Sequence, residues 1–323
     1  MNEVPDYISL SDDTLANLEI SSQQIVDAIE KAILAETRGE ISTAPKSALL
    51  PGGGRYMMTT LSTADDPQFT VVKSVMVSPR NPARGLNAIE GAIILHDSET
   101  GQLLAVMGSS WITAVRTAGL SAVAAKRLAN PRSGTIAFIG CGVQARSHLE
   151  TFSKMFPLNE VHVYGRGQAN IDRLCNLAHT KGIITKECKS PREAIENADL
   201  IISSVTLSFE LEPFLDADWL KPGAFAAITD AGTPWMPSGL VQFNTLVIDD
   251  YEQEKASEKK MIDPIMITTD LRGLLCEDVV AGFDTYKRSA FIFRGLAIGD
   301  FAVASLAYSQ AKLEGIGDIV KWK

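Results

Sequence analysis

No apolar run in this chain of 323 residues reaches the roughly 20 residues that span a bilayer, so the sequence gives no membrane partner. There is no low-complexity tract, no block of like charge and no internal repeat, which excludes disordered, fibrous and solenoid architectures. Positive charge is also scarce. Thirty Lys and Arg stand against 39 Asp and Glu, a net charge of −9. Nucleic-acid binding needs a basic face to meet phosphates, so a nucleic-acid partner is excluded; a small anionic substrate is not, because a few local cations can hold it. The start, Met1 to Asp6, lacks the basic and then apolar stretches of a leader peptide. Cysteine is limited to Cys141, Cys175, Cys188 and Cys276. With no close CxxC pair they suit neither zinc nor a disulfide framework, and reduced, packed thiols in a cytoplasmic protein are expected.

What is present is the composition of a globular protein, 46% hydrophobic and 21% charged, long enough for two cores. Apolar residues at helical spacing (Leu15, Leu18, Ile25, Ala28, Ile29, Ala32, Ile33) predict a helix over 14–38, ending near Gly39. From Ser47 to Val106 short β-rich runs follow, at 55–60, 70–77, 92–96 and 103–106, with a turn at Asp97–Gly101. Together these give an antiparallel sheet beside a helix. An Ala-rich helix over 112–129 closes at Asn130-Pro131. Strands at 134–139, 160–164, 199–205, 224–229 and 245–249 then alternate with helices, which implies a doubly wound parallel sheet. A last helix, about 297–313, stops at Gly315 and is expected to return to the first domain.

Thr135-Ile136-Ala137-Phe138-Ile139 runs into Gly140-Cys141-Gly142-Val143-Gln144-Ala145 and then a helix. This is the context of a dinucleotide fingerprint. Gly140 makes the turn, Gly142 lets backbone approach a pyrophosphate, and Ala145 allows close helix–strand packing. The second strand ends at Gly165-Arg166-Gly167. The acid that usually accepts the ribose hydroxyls is missing, and Arg166 offers a two-pronged grip on a 2′-phosphate. NADP(H) is therefore preferred, with NAD(H) possible.

The order Pro45-Lys46, Lys73, Gly91-x-x-x-Leu95, Ala114-Val115-Arg116-Thr117-Ala118, Gly140-Cys141-Gly142-x-Gln144-Ala145 and Gly295-Leu296-Ala297-x-x-Asp300 resembles the ornithine cyclodeaminase/μ-crystallin family, from about residue 8 to 317. The resemblance implies a Rossmann domain at 119–302, and a substrate and dimerisation domain formed by 1–118 and a returning segment, 303–323. It further implies a homodimer joined through the β-rich region. Lys73 and Arg116 match the cations that hold the substrate carboxylate, and Lys46 stands where an Arg is common. Met58 and Phe293 are implied beside the substrate, Phe293 being open to a second reading as a core aromatic. Thr117, Val143, Gln144, Gly165, Thr206 and Gly295 are implied beside the cofactor, with the loop glycines. Asp230, one residue before the position of the cyclodeaminases' catalytic acid, is a candidate proton donor or a turn residue, and no metal is implied.

These expectations converge on NAD(P)H-dependent reduction of a cyclic ketimine acid, Δ1-pyrroline-2-carboxylate or its six-membered analogue Δ1-piperideine-2-carboxylate. Ornithine cyclodeaminase, an amino-acid dehydrogenase and a non-catalytic small-molecule binder are the alternatives.

Overall fold

A computed structural model describes residues 6–206, 211–276 and 282–321. Residues 1–5, most of the segment read for a leader, lie outside that range. The chain forms two compact units, Met1–Arg116 with Leu296–Lys323, and Thr117–Gly295.

The first unit is built on a seven-stranded sheet. Its strands are β1 (Tyr7–Leu10), β2 (Ile41–Gly52), β3 (Arg55–Asp65), β4 (Gln68–Val77), β5 (Ile89–Asp97), β6 (Leu103–Gly108) and a C-terminal strand, Asp318–Val320. The meander from β2 to β6 is antiparallel, whereas β1 lies parallel to β6. The period-two pleat sets one face against helices. Thr60, Ser62 and Ala64 of β3, Val71, Lys73 and Val75 of β4, and Ile93 and Leu95 of β5 are all buried. The helix foreseen over 14–38 is two helices, α1 (Asp12–Ala16) and α2 (Ser22–Thr37). Ser21 and Gln24 form a capping box that starts α2 afresh, which satisfies two otherwise orphaned N–H groups.

The C-terminal helix, Ala297–Glu314, packs on α2 and on β3 and β4. It is apolar nearly all round and accordingly buried along most of its length. Gly315, in the left-handed region at φ 67, ends it. The boundary foreseen at 302/303 falls inside this helix. The first unit takes the whole of this helix, from Leu296 onward.

The second unit begins within α3 (Ser109–Leu128), which starts three residues before the foreseen 112. Its eight-stranded sheet is parallel throughout. The strands are β7 (Thr135–Ile139), β8 (Glu160–Tyr164), β9 (Ile184–Glu187), β10 (Leu200–Ser203), β11 (Phe225–Ile228), β12 (Thr245–Ile248), β13 (Thr269–Asp270) and β14 (Ser289–Ile292). They run in the order β9-β8-β7-β10-β11-β14-β12-β13. α4 (Val143–Met155) follows β7, and α5 (Gln168–Thr180) follows β8. Strands β7, β8, β10, β11 and β12 lie where alternation put them; β9, β13 and β14 were not foreseen. Order reverses between β7 and β10, and such a switch point is where open parallel sheets bind ligands.

Candidate active site

In the first unit a buried ionic cluster joins three elements. Lys73 points inward from β4 and is 1% exposed. Its Nζ donates to Oδ1 of Asp300, in the first turn of the C-terminal helix, at 3.0 Å. Arg116, on α3, places Nε 3.2 Å from the same oxygen. Thr60, opposite Lys73 in the β3–β4 register, donates from Oγ1 to Asp300 Oδ2 at 3.1 Å. Two cations therefore share one carboxylate. Nε and Nη1 of Arg116 are buried and make no hydrogen bond among the described residues.

Burial pushes the Lys73 ammonium down and Asp300 pulls it back, while Arg116 and Lys46 push it lower; it settles at about 8 against the usual 10.5. Burial raises the Asp300 carboxyl, but Lys73 and Arg116 outweigh that and hold it below the ordinary carboxylate range. Lys46 stands half-buried on β2, at a register shift between Ala44 and Ser47, near enough for its charge to act on Lys73. Met58 is half-buried on β3, two residues before Thr60 and so on the same face.

In the second unit the candidates fall at the carboxyl ends of parallel strands. Gly140 follows β7 with φ 88, and its N–H donates to Tyr164 O at the end of β8 at 2.9 Å. A Cβ on Gly140 would lie 2.8 Å from the carbonyl oxygen of Ser204, just after β10, whereas one on Gly142 would meet nothing within 4 Å. The first glycine is thus required by the fold, and the second leaves an open cradle at the N-cap of α4. Ala145 is fully buried; Val143 is exposed and Gln144 half-buried. These residues fit a dinucleotide pyrophosphate, whose charge the positive end of the α4 dipole favours. Gly165 and the exposed Arg166 follow β8, and Thr206 is exposed beyond β10. Thr117 is buried on α3.

Asp230, two residues past β11, is buried. Its Oδ1 accepts from Ser203 Oγ at 3.1 Å and its Oδ2 from Val205 N at 3.2 Å. Ser203 in turn accepts from Trp235 Nε1 at 3.0 Å. Burial drives the Asp230 carboxyl up to about 7, against the downward pull of those hydrogen bonds. Both oxygens are engaged in tying the ends of β10 and β11 together. Phe293 is buried and stacked on Phe291, with ring centroids 4.8 Å apart, so packing accounts for it. Gly295 (φ 102) gives its N–H to Asp249 Oδ2 at 2.9 Å, as Arg294 does. That amide is therefore taken.

Sequence reasoning assigned no role to Asp300 or Asp249. A signal for the first was available: a lysine among Val71, Val72 and Val75 needs an anionic partner, and Asp300 is an acid opening an otherwise apolar helix. Nothing local marked Asp249. Of the four cysteines, expected as packed thiols, Cys141 and Cys188 are buried but Cys276 stands exposed. No group of acids, His and Cys suited to a metal occurs among the described residues.

The sequence model of the ornithine cyclodeaminase/mu-crystallin family matches residues 9–315. The ketimine reductase mu-crystallin of Rattus norvegicus is 29% identical over 314 residues, 96% of this chain and 95% of the rat protein. The Δ1-pyrroline-2-carboxylate reductase of Thermococcus litoralis, solved with NADH and L-proline, superposes with a TM-score of 0.87 at 27% identity. That match covers 97% of this chain and 100% of the other. An archaeal alanine dehydrogenase dimer with bound NAD superposes equally well, 0.87, at 25% identity, over 99% and 100% of the two chains.

Proposed function

We propose that this chain, which belongs to the ornithine cyclodeaminase/mu-crystallin family, reduces a cyclic ketimine carboxylate, Δ1-pyrroline-2-carboxylate to L-proline, with NADPH or NADH. The six-membered Δ1-piperideine-2-carboxylate fits the same reasoning. The observation that carries the reading is the unequal buried cluster: two cations, one carboxylate, and an arginine with orphaned nitrogens. Buried guanidinium nitrogens left without hydrogen bonds are costly, and a substrate carboxylate supplies the missing acceptor.

In this scheme Lys73 and Arg116 grip the carboxylate, and Lys46 adds positive charge beside them. Fixing that group fixes which face of the planar C=N carbon is presented, so orientation lowers the barrier. The loop Gly140–Ala145 and the α4 N-terminus hold the dinucleotide, which when bound supplies the reducing equivalent. Arg166, with no acid beside it on that turn, favours the 2′-phosphate of NADPH. Asp230 keeps the β10 and β11 ends in register and is close enough to neutral pH to carry a proton. A homodimer through the outer face of the first unit's sheet is supported by a register row of aliphatic side chains, Leu61–Val72–Ile94–Val106, none fully buried in the single chain. The buried thiols of Cys141 and Cys188 suit the cytoplasm.

The test is cofactor oxidation followed by absorbance with the five-membered imine, with pyruvate plus ammonia, and with neither. Oxidation with the imine and formation of proline support the proposal. Oxidation only with pyruvate and ammonia would assign a dehydrogenase, proline made from ornithine without net cofactor change a cyclodeaminase, and no turnover a binder. NADPH and NADH are compared in the same assay, and a KM for NADPH at or above that for NADH would refute the role of Arg166.

A further inference from the structure

Asp300 is the feature that the carboxylate-binding scheme leaves unexplained, since a buried anion beside two ligand-binding cations competes with the ligand. Its geometry resolves the conflict. Oδ1 lies on Lys73 Nζ at 3.0 Å and on Arg116 Nε at 3.2 Å, while Oδ2 is fixed by Thr60 at 3.1 Å. One oxygen bridges the two cations, and a hydroxyl on the neighbouring strand stops the carboxylate from turning. Lys73 uses one of its three donors on Asp300, and Arg116 retains buried nitrogens without hydrogen bonds. Asp300 thus cancels one of the two positive charges it touches, and the half-buried Lys46 adds its own charge from beyond them.

We propose that Asp300 is a positioning residue that sets Lys73 and Arg116 at a fixed spacing for a ligand carboxylate and, by cancelling one of their charges, makes the site select a singly charged acid over a dicarboxylate. This inference rests on the carboxylate site proposed above. The charged groups acting on Lys73 are Asp300, Arg116 and Lys46, and Thr60 is the neutral partner that holds Asp300.

The experiment uses the full chain and two planar probes that need no turnover, pyrrole-2-carboxylate and pyrrole-2,5-dicarboxylate, titrated calorimetrically across pH. In the wild type the monocarboxylate binds more tightly, and its binding weakens as pH rises through the Lys73 midpoint at about 8. Asp300→Asn should weaken the monocarboxylate about ten-fold or more, raise the affinity of the dicarboxylate relative to it, and move the alkaline midpoint down by roughly 1 unit or more, because the anion that supported the ammonium is gone. Thr60→Val, which keeps every charge, should weaken both probes a few-fold and leave the midpoint in place. It serves as the folded comparison if the Asn variant does not fold, and unchanged binding in Thr60→Val would then overturn the anchoring of Asp300. A folded Asp300→Asn protein with the wild-type probe ratio and midpoint overturns the proposal and makes Asp300 merely structural. A wild type that binds neither probe sinks the carboxylate site itself. One that binds the monocarboxylate but does not reduce the imine sinks only the assigned reaction.

Discussion

A methionine at position 73 would fill the volume of the lysine without its charge, and the structure says what that exchange should do. Lys73 is 1% exposed, and its pKa falls from 10.5 to about 8 even with Asp300 beside it. At 1.36 kcal/mol per pKa unit, the charged form is disfavoured by about 3 kcal/mol in the fold relative to the unfolded chain. The sign follows from linkage. A lysine whose folded pKa is depressed carries its full penalty below about 8 and sheds it as pH rises toward 10.5. Lys73→Met removes the penalty and leaves Asp300 paired with Arg116 and Thr60. At neutral pH the variant should therefore be more stable by about 1–3 kcal/mol, in line with apolar replacements of buried ions, or roughly 2–10 °C in Tm. The gain should shrink toward zero near pH 10.5. The same variant should bind pyrrole-2-carboxylate at least about 100-fold more weakly, losing a charge-assisted bond in a dry site. Thermal melts across pH, paired with calorimetry, read both effects. A variant that melts several degrees below the wild type at neutral pH would refute the reasoning, because Lys73 would then be stabilising the fold.

The two loop glycines should separate stability from cofactor binding. Gly140→Ala meets the Ser204 carbonyl at φ 88 and should lower stability by about 1–3 kcal/mol in denaturant titrations. Gly142→Ala meets nothing, so it should melt normally yet bind NADH at least about ten-fold more weakly by fluorescence titration. For Asp230, whose pKa is raised to about 7 from 3.8, the protonated form is favoured in the fold, so its contribution is fully present below 3.8 and is lost as pH rises through about 7. Asp230→Asn should match the wild type in Tm near pH 4 and exceed it increasingly toward pH 8; equal curves throughout would show that the carboxyl is not strained. Ile94→Lys, on the outer face of β5, should turn a dimer into a monomer in sedimentation velocity, and a wild type that sediments as a monomer removes the dimer proposal.

Much of the second unit was readable because its signals are local. A buried strand of five residues, a glycine turn and a helix lie within one stretch, and the parallel pairing follows from repetition of that unit. β14 escaped because Ser289–Ile292 is four residues long, and its place between β11 and β12 is set by pairing with strands more than 40 residues away in the chain. β2 escaped because Pro45 and Pro51, one in each half, argue against a strand; they are tolerated in the edge strand of its sheet, where a missing N–H breaks no ladder. In the candidate site Lys73 and Arg116 were legible as cations in apolar surroundings. Asp300 was legible only as an acid opening an apolar helix, for its pairing with Lys73 exists only once that helix lies across β3 and β4.

A second buried ionic group shows why the cluster at Lys73 is read as a binding device and not as a strut. In the other unit Arg294 Nε lies 2.9 Å from Glu254 Oε2, and the other oxygen of Glu254 accepts from Met261 N. One cation meets one anion and both carboxylate oxygens are engaged, the arrangement expected when an ion pair serves only to join two segments. The Lys73 cluster departs from it in both charge and bonding: two cations to one anion, and guanidinium nitrogens buried without hydrogen bonds. A fold selected for stability alone would remove that surplus, since an apolar side chain at 73 would be more favourable. The surplus supports the proposal that an anion arrives from outside. On that account a bound monocarboxylate should raise the melting temperature of the wild type by mass action and should do so far less for Lys73→Met, which already lacks the unmet charge.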